Sequence, residues 1–352
     1  MTYLKINQIT AAEGKTMTLL KKLGLDPDER MLKTLEDNPE YVNRLASLFK
    51  RLKTCNIKLN DTLHNIIASN VSYAGSLSNL LDFMHNEKID VTLFPLERLF
   101  AGAQSDTALI QGIQLLKTRA SLDLATLNLL FAYPAHSLLL ADLIINFQQH
   151  AYPTEKIVEK LHKFSAKNMD TAIRVLNLLL NKNLYYFECF DVLLKHQEYI
   201  DKIYEGTAKL TAKNKLAASY FSVIENNPQN ANVLANLILL LHKESLIDYR
   251  KTEDLSTVSK LGIGAFHFLS HLQQAGILNS ENYKKVCQDT SILMQKEVIE
   301  LFSNLPLFEE FDKSELAQML GLISEPSSET NLDEFIEIIE KHQLIKNPSL
   351  KQ

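Results

Sequence analysis

The phrase NPEYVNRLASLF begins at Asn38, and NPQNANVLANLI begins at Asn227. Each carries an apolar stripe with the i, i+3, i+4, i+7 spacing of one helix face. The first stripe is Leu45, Ala46, Leu48, Phe49 and Leu52; the second is Leu234, Ala235, Leu237, Ile238 and Leu241. Their anchors, Leu45 and Leu234, lie 189 positions apart, which is six periods of roughly 32 residues. Further stripes sit where that period places them. Leu77, Leu80, Leu81 and Met84 form one, and Ile110, Ile113 and Leu116 the next. Leu140, Leu143, Ile144 and Phe147 follow, then Ile173, Leu176 and Leu180, then a weaker copy near Tyr204. Beyond Leu234 come Phe266, Leu269 and Leu272, and finally Val298, Leu301 and Phe302.

A shorter apolar segment precedes each long one, as LATLNLLFAY precedes PAHSLLLADLIINF and IVEKLHKFSAK precedes MDTAIRVLNLLLN. The unit therefore reads as helix, tight turn, helix, loop. Asn38-Pro39 and Asn227-Pro228 read as helix starts, with Asn as the cap and Pro at the first helical position. With 10 Gly and 9 Pro in 352 residues, the residues that strands and their turns consume are scarce. The expected fold is all-α, an α-solenoid of about eight to nine stacked helical hairpins with a period of about 32 residues. An irregular helical bundle is the competing architecture, but a bundle has no reason to keep one period over about 250 residues.

The expected domains are an N-terminal cap over 1–28, the helical-repeat solenoid over 29–323, and a C-terminal part over 324–352. Asp26, Pro27, Asp28 and Glu29 mark a turn and a helix start at the first boundary. SEPSSET, Ser324–Thr330, marks a linker at the second. NLDEFIEIIEKHQLI then reads as an acidic amphipathic helix with Leu332, Phe335, Ile336 and Ile339 on one face.

The net charge of −5 excludes a general attraction to nucleic acid, which needs a concentrated basic face. Cys55, Cys189 and Cys287 give no disulfide framework, so a reducing compartment is expected. No stretch reaches the roughly 18 apolar residues of a membrane span, and MTYLKINQITAAEGKT has no apolar core of signal-peptide type.

Motifs that carry chemistry fail on their spacing. Gly14-Lys15-Thr16 ends like a phosphate-binding loop, but Ile9 stands where that loop needs its first Gly. His267 and His271 have a zinc-compatible spacing, but Phe268 replaces the Glu of the metalloprotease motif, so satisfied helix-face histidines are expected. His136, His150 and His196 are dispersed. Gly262 and Gly264 read as a site of close helix approach or a sharp turn. Cys189 in YYFECFDVLL reads as a buried, unreactive thiol. The lysines of KLTAKNKLAAS, Lys209–Ser219, read as a solvated face, with attraction of an acidic partner as the alternative. No catalytic, cofactor-binding or metal-binding residues are assigned. LYYFECF, Leu184–Phe190, is the densest aromatic cluster. It reads either as a plug on the loop side of the core or, through Tyr185, Tyr186 and Phe187, as a partner-binding site.

The C-terminal stretch carries Glu325, Ser327, Ser328, Glu329, Asp333, Glu334, Glu337 and Glu340, and Leu350 stands third from the end. With the Leu-, Lys- and Asn-rich, Gly-poor make-up, this resembles effectors exported by the Dot/Icm (type IVB) secretion system of Legionella-like intracellular bacteria. Many of those are built on degenerate helical repeats. The hairpins also look like the tetratricopeptide class, although the chain has no Trp to supply that consensus residue. The resemblance implies residence in the bacterial cytoplasm before export and in the host cytosol afterwards, with the acidic tail as a secretion signal.

A hairpin stack supplies a long groove and no built-in catalytic group. The expected function is non-enzymatic: an interaction scaffold or regulator, as a translocated effector, that binds a host or bacterial protein through that concave groove. The alternatives are a cysteine-based hydrolase or transferase with a site assembled from several repeats, and a phosphoinositide or membrane-surface binder using a lysine cluster.

Overall fold

The computed structural model describes residues 16–26, 28–185, 188–248, 252–305, 311–324 and 329–346. Among them there are helices and no strands, and the helices pack neighbour to neighbour. The chain divides into two compact units, 1–170 and 171–352.

In the first unit, short helices alternate with longer ones. They are α1 (Glu29–Glu36), α2 (Val42–Thr54), α3 (Asp61–Ser69), α4 (Ala74–Asn86), α5 (Leu96–Ala103), α6 (Asp106–Thr118), α7 (Leu124–Ala132), α8 (Ser137–Gln149) and α9 (Thr154–Leu161). The long helices pack in chain order, α2 on α4, α4 on α6 and α6 on α8. The short helices form a second layer, in which α1 packs on α3, α5 on α7 and α7 on α9. Helix α10 (Ala166–Asn181) crosses the division at 170/171.

The second unit continues with α11 (Glu188–Lys195), α12 (Ile200–Ala212), α13 (Ala218–Asn226), α14 (Ala231–Lys243), α15 (Thr252–Lys260), α16 (Ile263–Gln274), α17 (Ser280–Gln288), α18 (Lys296–Asn304), α19 (Lys313–Ser324) and α20 (Glu329–Lys346). Here α12 packs on α14, α14 on α16, α16 on α18 and α18 on α20, while α13 packs on α15 and α17 on α19.

The stripes are buried, except that Leu301 in the last of them is half-buried. Leu45, Leu48, Phe49 and Leu52 on α2, and Leu234, Leu237, Ile238 and Leu241 on α14, are at most 1% exposed. Each such side chain contributes about 1.5–3 kcal/mol by leaving water. Three stripes sit one residue earlier than the expected anchors. Ile110, Tyr204 and Phe266 are only half-buried, and Leu109, Ile203 and Ala265 face inward instead. The reason is size. Gly112 and Gly206 occupy the next inward position on α6 and α12, and a Cβ on either would lie 2.6 Å from a backbone oxygen, that of Ser137 or Ala231. The backbones there are too close for a side chain, so the largest apolar residue nearby does not mark the inward face.

The long helices end alike. At nine positions, Gly24, Asn56, Lys88, Ala120, Ala151, Asn183, Asn214, Ser245 and Gly276, the chain turns left-handed with φ between 53° and 73°. These residues are 32, 32, 32, 31, 32, 31, 31 and 31 positions apart. In each case the next N–H donates to the carbonyl five residues before it, as Ile57 to Leu52 and Leu246 to Leu241, at 2.8–3.1 Å. This closure satisfies carbonyls that a helix end leaves orphaned. The acceptors are buried, and Leu20, Leu52, Met84, Leu116, Phe147, Leu210, Leu241 and Leu272 are the last buried residues of their helices; beyond the acceptor Leu179, Leu180 is buried as well.

Helix starts differ from the sequence expectation in one respect. Asp28 does cap α1, accepting from Met31 N–H at 2.7 Å. Asn38 and Asn227, however, head 3-10 turns and cap no helix with their side chains. The Asn38 carboxamide instead donates back to the Thr34 carbonyl at 2.9 Å, and Asn70 does the same to Ile66. At Asn38 the carboxamide closes the preceding short helix, and Pro39 opens the 3-10 turn into the next.

The acidic C-terminal helix α20 is packed. Phe335, Ile338, Ile339 and His342 are buried, whereas Leu332 and Ile336 are only half-buried. Its inward face is therefore rotated from the expected one, because α20 packs on both α18 and α19. Gln318 of α19 donates to Glu334 at 2.7 Å, and His342 Nδ1 lies 3.1 Å from Glu315. Residues 325–328 and Leu350 lie outside the described residues.

Candidate functional site

Tyr185 is 7% exposed and packs edge-to-face on Phe190 with centroids 6.0 Å apart, as a core plug does. Of the two readings of this cluster, the placement of Tyr185 fits the core plug. Tyr186 and Phe187 lie outside the described residues, as do Gly14 and Lys15.

His267 and His271 sit on α16 in an aromatic cluster. Both rings stack on Phe302, at 6.3 and 5.7 Å, and His271 meets Phe311 edge-on at 4.9 Å. Burial holds His267 below the ordinary histidine range. Among the described residues no group of three or more His, Cys, Asp and Glu is arranged to hold a metal ion. Gly264 is a close-approach point, since a Cβ there would lie 2.0 Å from the Leu293 carbonyl oxygen. Gly262 precedes α16 with nothing within 4 Å of its missing Cβ.

Cys189 is fully buried on α11. Burial pushes the Cys55 thiol up, with Arg51 pulling the other way and Asp82 adding to the rise. A raised thiol is the opposite of an activated nucleophile. Lys209 donates to Asn232 and, at 3.2 Å, to Asn236, so it belongs to an internal network rather than to a free basic patch.

Among the described residues no single helix is long and apolar enough to cross a membrane. The apolar pair α7–α8 is bent by 109° and is a packed hairpin with Leu129, Leu130, Leu143 and Ile144 inside its unit.

One cleft in the first unit gathers titratable groups. It has a volume of about 390 Å³ and lies between α1 and α3, lined by Arg30, Lys33, Asp61 and His64 among others. His64 is 6% exposed, its Nε2 is 3.8 Å from Asp28, and its ring lies 6.1 Å from that of Phe49. Burial lowers its proton affinity, Asp28 raises it, and Arg30 lowers it. Arg30 pairs with Asp61, and the cleft's one hydroxyl, Thr34, donates to the Arg30 carbonyl at 2.8 Å. Among the described residues of the cleft, no hydroxyl or thiol is hydrogen-bonded to the imidazole.

The more open surface is the outward face of α2, α4, α6 and α8. Three rows of equivalent positions run across these helices: Asn43, Gly75, Thr107, Leu138; Arg44, Ser76, Ala108, Leu139; and Ser47, Asn79, Gln111, Asp142. The first two helices are tied in register, Ser47 to Ser78 at 3.1 Å and Arg51 to Asp82 at 2.8 Å. Within the rows only Arg44 and Asp142 are charged. Asn43, Asn79 and Gln111 are exposed and bond to no other described residue. Leu138 and Leu139 are 40% and 42% exposed. Adjacent large apolar residues left in water mark an interaction surface more than a scattered single one does.

None of these residues was singled out from the sequence. One signal was available: in SLLLADL only one of the three leucines fits the stripe, so the other two must face out. No protein-family model, no curated protein and no solved structure matches the chain.

Proposed function

We propose that the chain is a non-enzymatic interaction protein that binds a protein partner on the outward face of α2, α4, α6 and α8. The single observation carrying this reading is that face: exposed, unbonded carboxamides beside two exposed leucines. Such a surface offers hydrogen bonds and apolar area without the cost of breaking internal ion pairs.

We further infer that the architecture is an α-solenoid of about eight to nine hairpins with a period of about 32 residues. The spacing of the left-handed helix ends supports it, as does the packing of long helix on long helix within each unit. A translocated effector of the Dot/Icm kind, bacterial before export and host-cytosolic after it, fits the acidic C-terminal stretch; in this reading α20 undocks before its tail is presented.

The test is affinity capture from cytosol with the wild-type chain and a Leu138→Asp/Leu139→Asp variant, each checked by circular dichroism. A stoichiometric partner lost only with the variant is the expected result. A partner retained by the folded variant overturns the proposed surface. Turnover of a substrate by the purified chain overturns the non-enzymatic reading.

A further inference from the structure

We propose that this same face takes an extended polypeptide segment, wound like polyproline II, with one acidic residue at the α2 end and one basic residue at the α8 end. The proposal rests on the reading of the face as a protein-binding surface and says what kind of protein surface it reads.

Each exposed carboxamide, Asn79 on α4 and Gln111 on α6, presents one donor group and one acceptor. That is the complement of a peptide group. In a helical ligand the peptide groups are already bonded to one another. In a polyproline II segment they are bonded to nothing in the chain. Side-chain amides aimed at a surface therefore favour the extended ligand over the helical one.

The spacing agrees. Packed helices lie about 8–10 Å apart. A polyproline II turn has three residues at about 3.1 Å each, so it repeats about every 9.3 Å. One ligand turn then meets each long helix with the same side of its backbone. A β-extended ligand repeats its facing groups about every 6.6 Å and falls out of step. Ser76 and Ala108 keep the neighbouring positions small, which lets a backbone come close.

Charge sets the polarity. Arg44 on α2 forms no ion pair with a described residue and lies over the Tyr41 ring at 5.9 Å, and Asp142 on α8 bonds to no described residue. They stand three helix intervals apart, a span of about nine ligand residues. Leu138 and Leu139 share α8 with Asp142, so the ligand's apolar anchor adjoins its basic residue. The recognised segment is an acidic residue, about seven uncharged residues, then an apolar and a basic residue, in either chain direction.

The experiment is fluorescence anisotropy on the full chain with two pairs of labelled peptides of about twelve residues. In one pair Lys adjoins the single Leu and Glu lies at the far end of a Pro/Gln/Ser spacer; in the other the charges are exchanged. Each pair is made in both chain directions. The first pair should contain a peptide that binds in preference to its charge-exchanged counterpart, and the Arg44→Glu/Asp142→Lys variant should reverse the preference by about tenfold each way. Asn79→Ala/Gln111→Ala should weaken the preferred peptide several-fold with an unchanged circular dichroism melt. Equal binding of both pairs, no binding of either, or indifference to the carboxamide variant overturns the extended-segment inference. If no peptide binds while Leu138→Asp/Leu139→Asp still abolishes capture of a folded partner, the surface stands and only its ligand class falls.

Discussion

On α6 and α8, Gln111, Leu139 and Asp142 face outward with no described residue bonded to them. On α12 and α14 the equivalent residues are Glu205, Val233 and Asn236, and the surface around them is closed on itself. Asn232 donates to Glu205 at 2.9 Å, Lys209 reaches both Asn232 and Asn236, and Lys202 donates to the Gln229 carbonyl at 3.1 Å. Thr171 donates to Asp201 at 2.8 Å. Beneath these surfaces the buried stripes match residue for residue, Leu140, Ala141, Leu143, Ile144 and Phe147 against Leu234, Ala235, Leu237, Ile238 and Leu241. A hairpin of this kind fixes its inward residues by packing and leaves the outward ones to vary. At the compared positions α12 and α14 have committed them to internal bonds, and α6 and α8 have kept them open.

The largest effect that tests the comparison comes from the shared stripe. Leu45→Ala and Leu234→Ala each remove a side chain at most 1% exposed, and each should cost about 2–5 kcal/mol. Hydrogen exchange should rise over 1–170 for the first variant and over 171–352 for the second. A uniform rise across both from either variant refutes independent units.

These stripes were legible because burial follows the helical period and large apolar residues announce it. Large residues mislead at Ile110, Tyr204 and Phe266, where Gly112, Gly206 or Ala265 takes an inward position without adding hydrophobicity. The left-handed helix ends were not legible at Lys88, Ala120, Ala151 and Ser245, which lack the usual Gly or Asn signal. There the packed hairpin imposes a conformation that costs a side-chain-bearing residue about 1–2 kcal/mol. The open face was half legible. Leu138 and Leu139 betray themselves as surplus to a stripe, whereas Asn79 and Gln111 resemble any solvated residue until their neighbours are known.

A smaller effect separates the units by acidity. Burial lowers the proton affinity of His64 and His162 in the first unit and of His267 in the second, and Arg98 lowers that of His162 further. A depressed histidine is neutral in the folded state. Its contribution is fully present above the unfolded value of about 6.5 and is lost as the pH falls through that value toward the lower folded one. The unfolding midpoint should therefore drop between about pH 7.5 and 5.5, with exchange rising more over the first unit than over the second. His64→Asn/His162→Gln should flatten the first unit's response. An unchanged response in that variant assigns the acid sensitivity elsewhere.

The smallest effect bears most directly on binding. Asn79 and Gln111 bond to no described residue, so replacing either with Ala should change stability by no more than about 0.5 kcal/mol. Glu205 accepts from Asn232, so Glu205→Ala should cost about 0.5–1.5 kcal/mol, because a partly covered amide loses its partner. A double-mutant cycle isolates the difference from changes in helix propensity, since Ala favours helix at every one of these positions. The Glu205/Asn232 cycle should show a coupling energy and the Asn79/Gln111 cycle none. Free amides on α4 and α6 are what a ligand would have to find unoccupied. A coupling between Asn79 and Gln111 as large as that between Glu205 and Asn232 would mean the first face is already bonded to itself, and the surface proposed for a partner would lose its chemical basis.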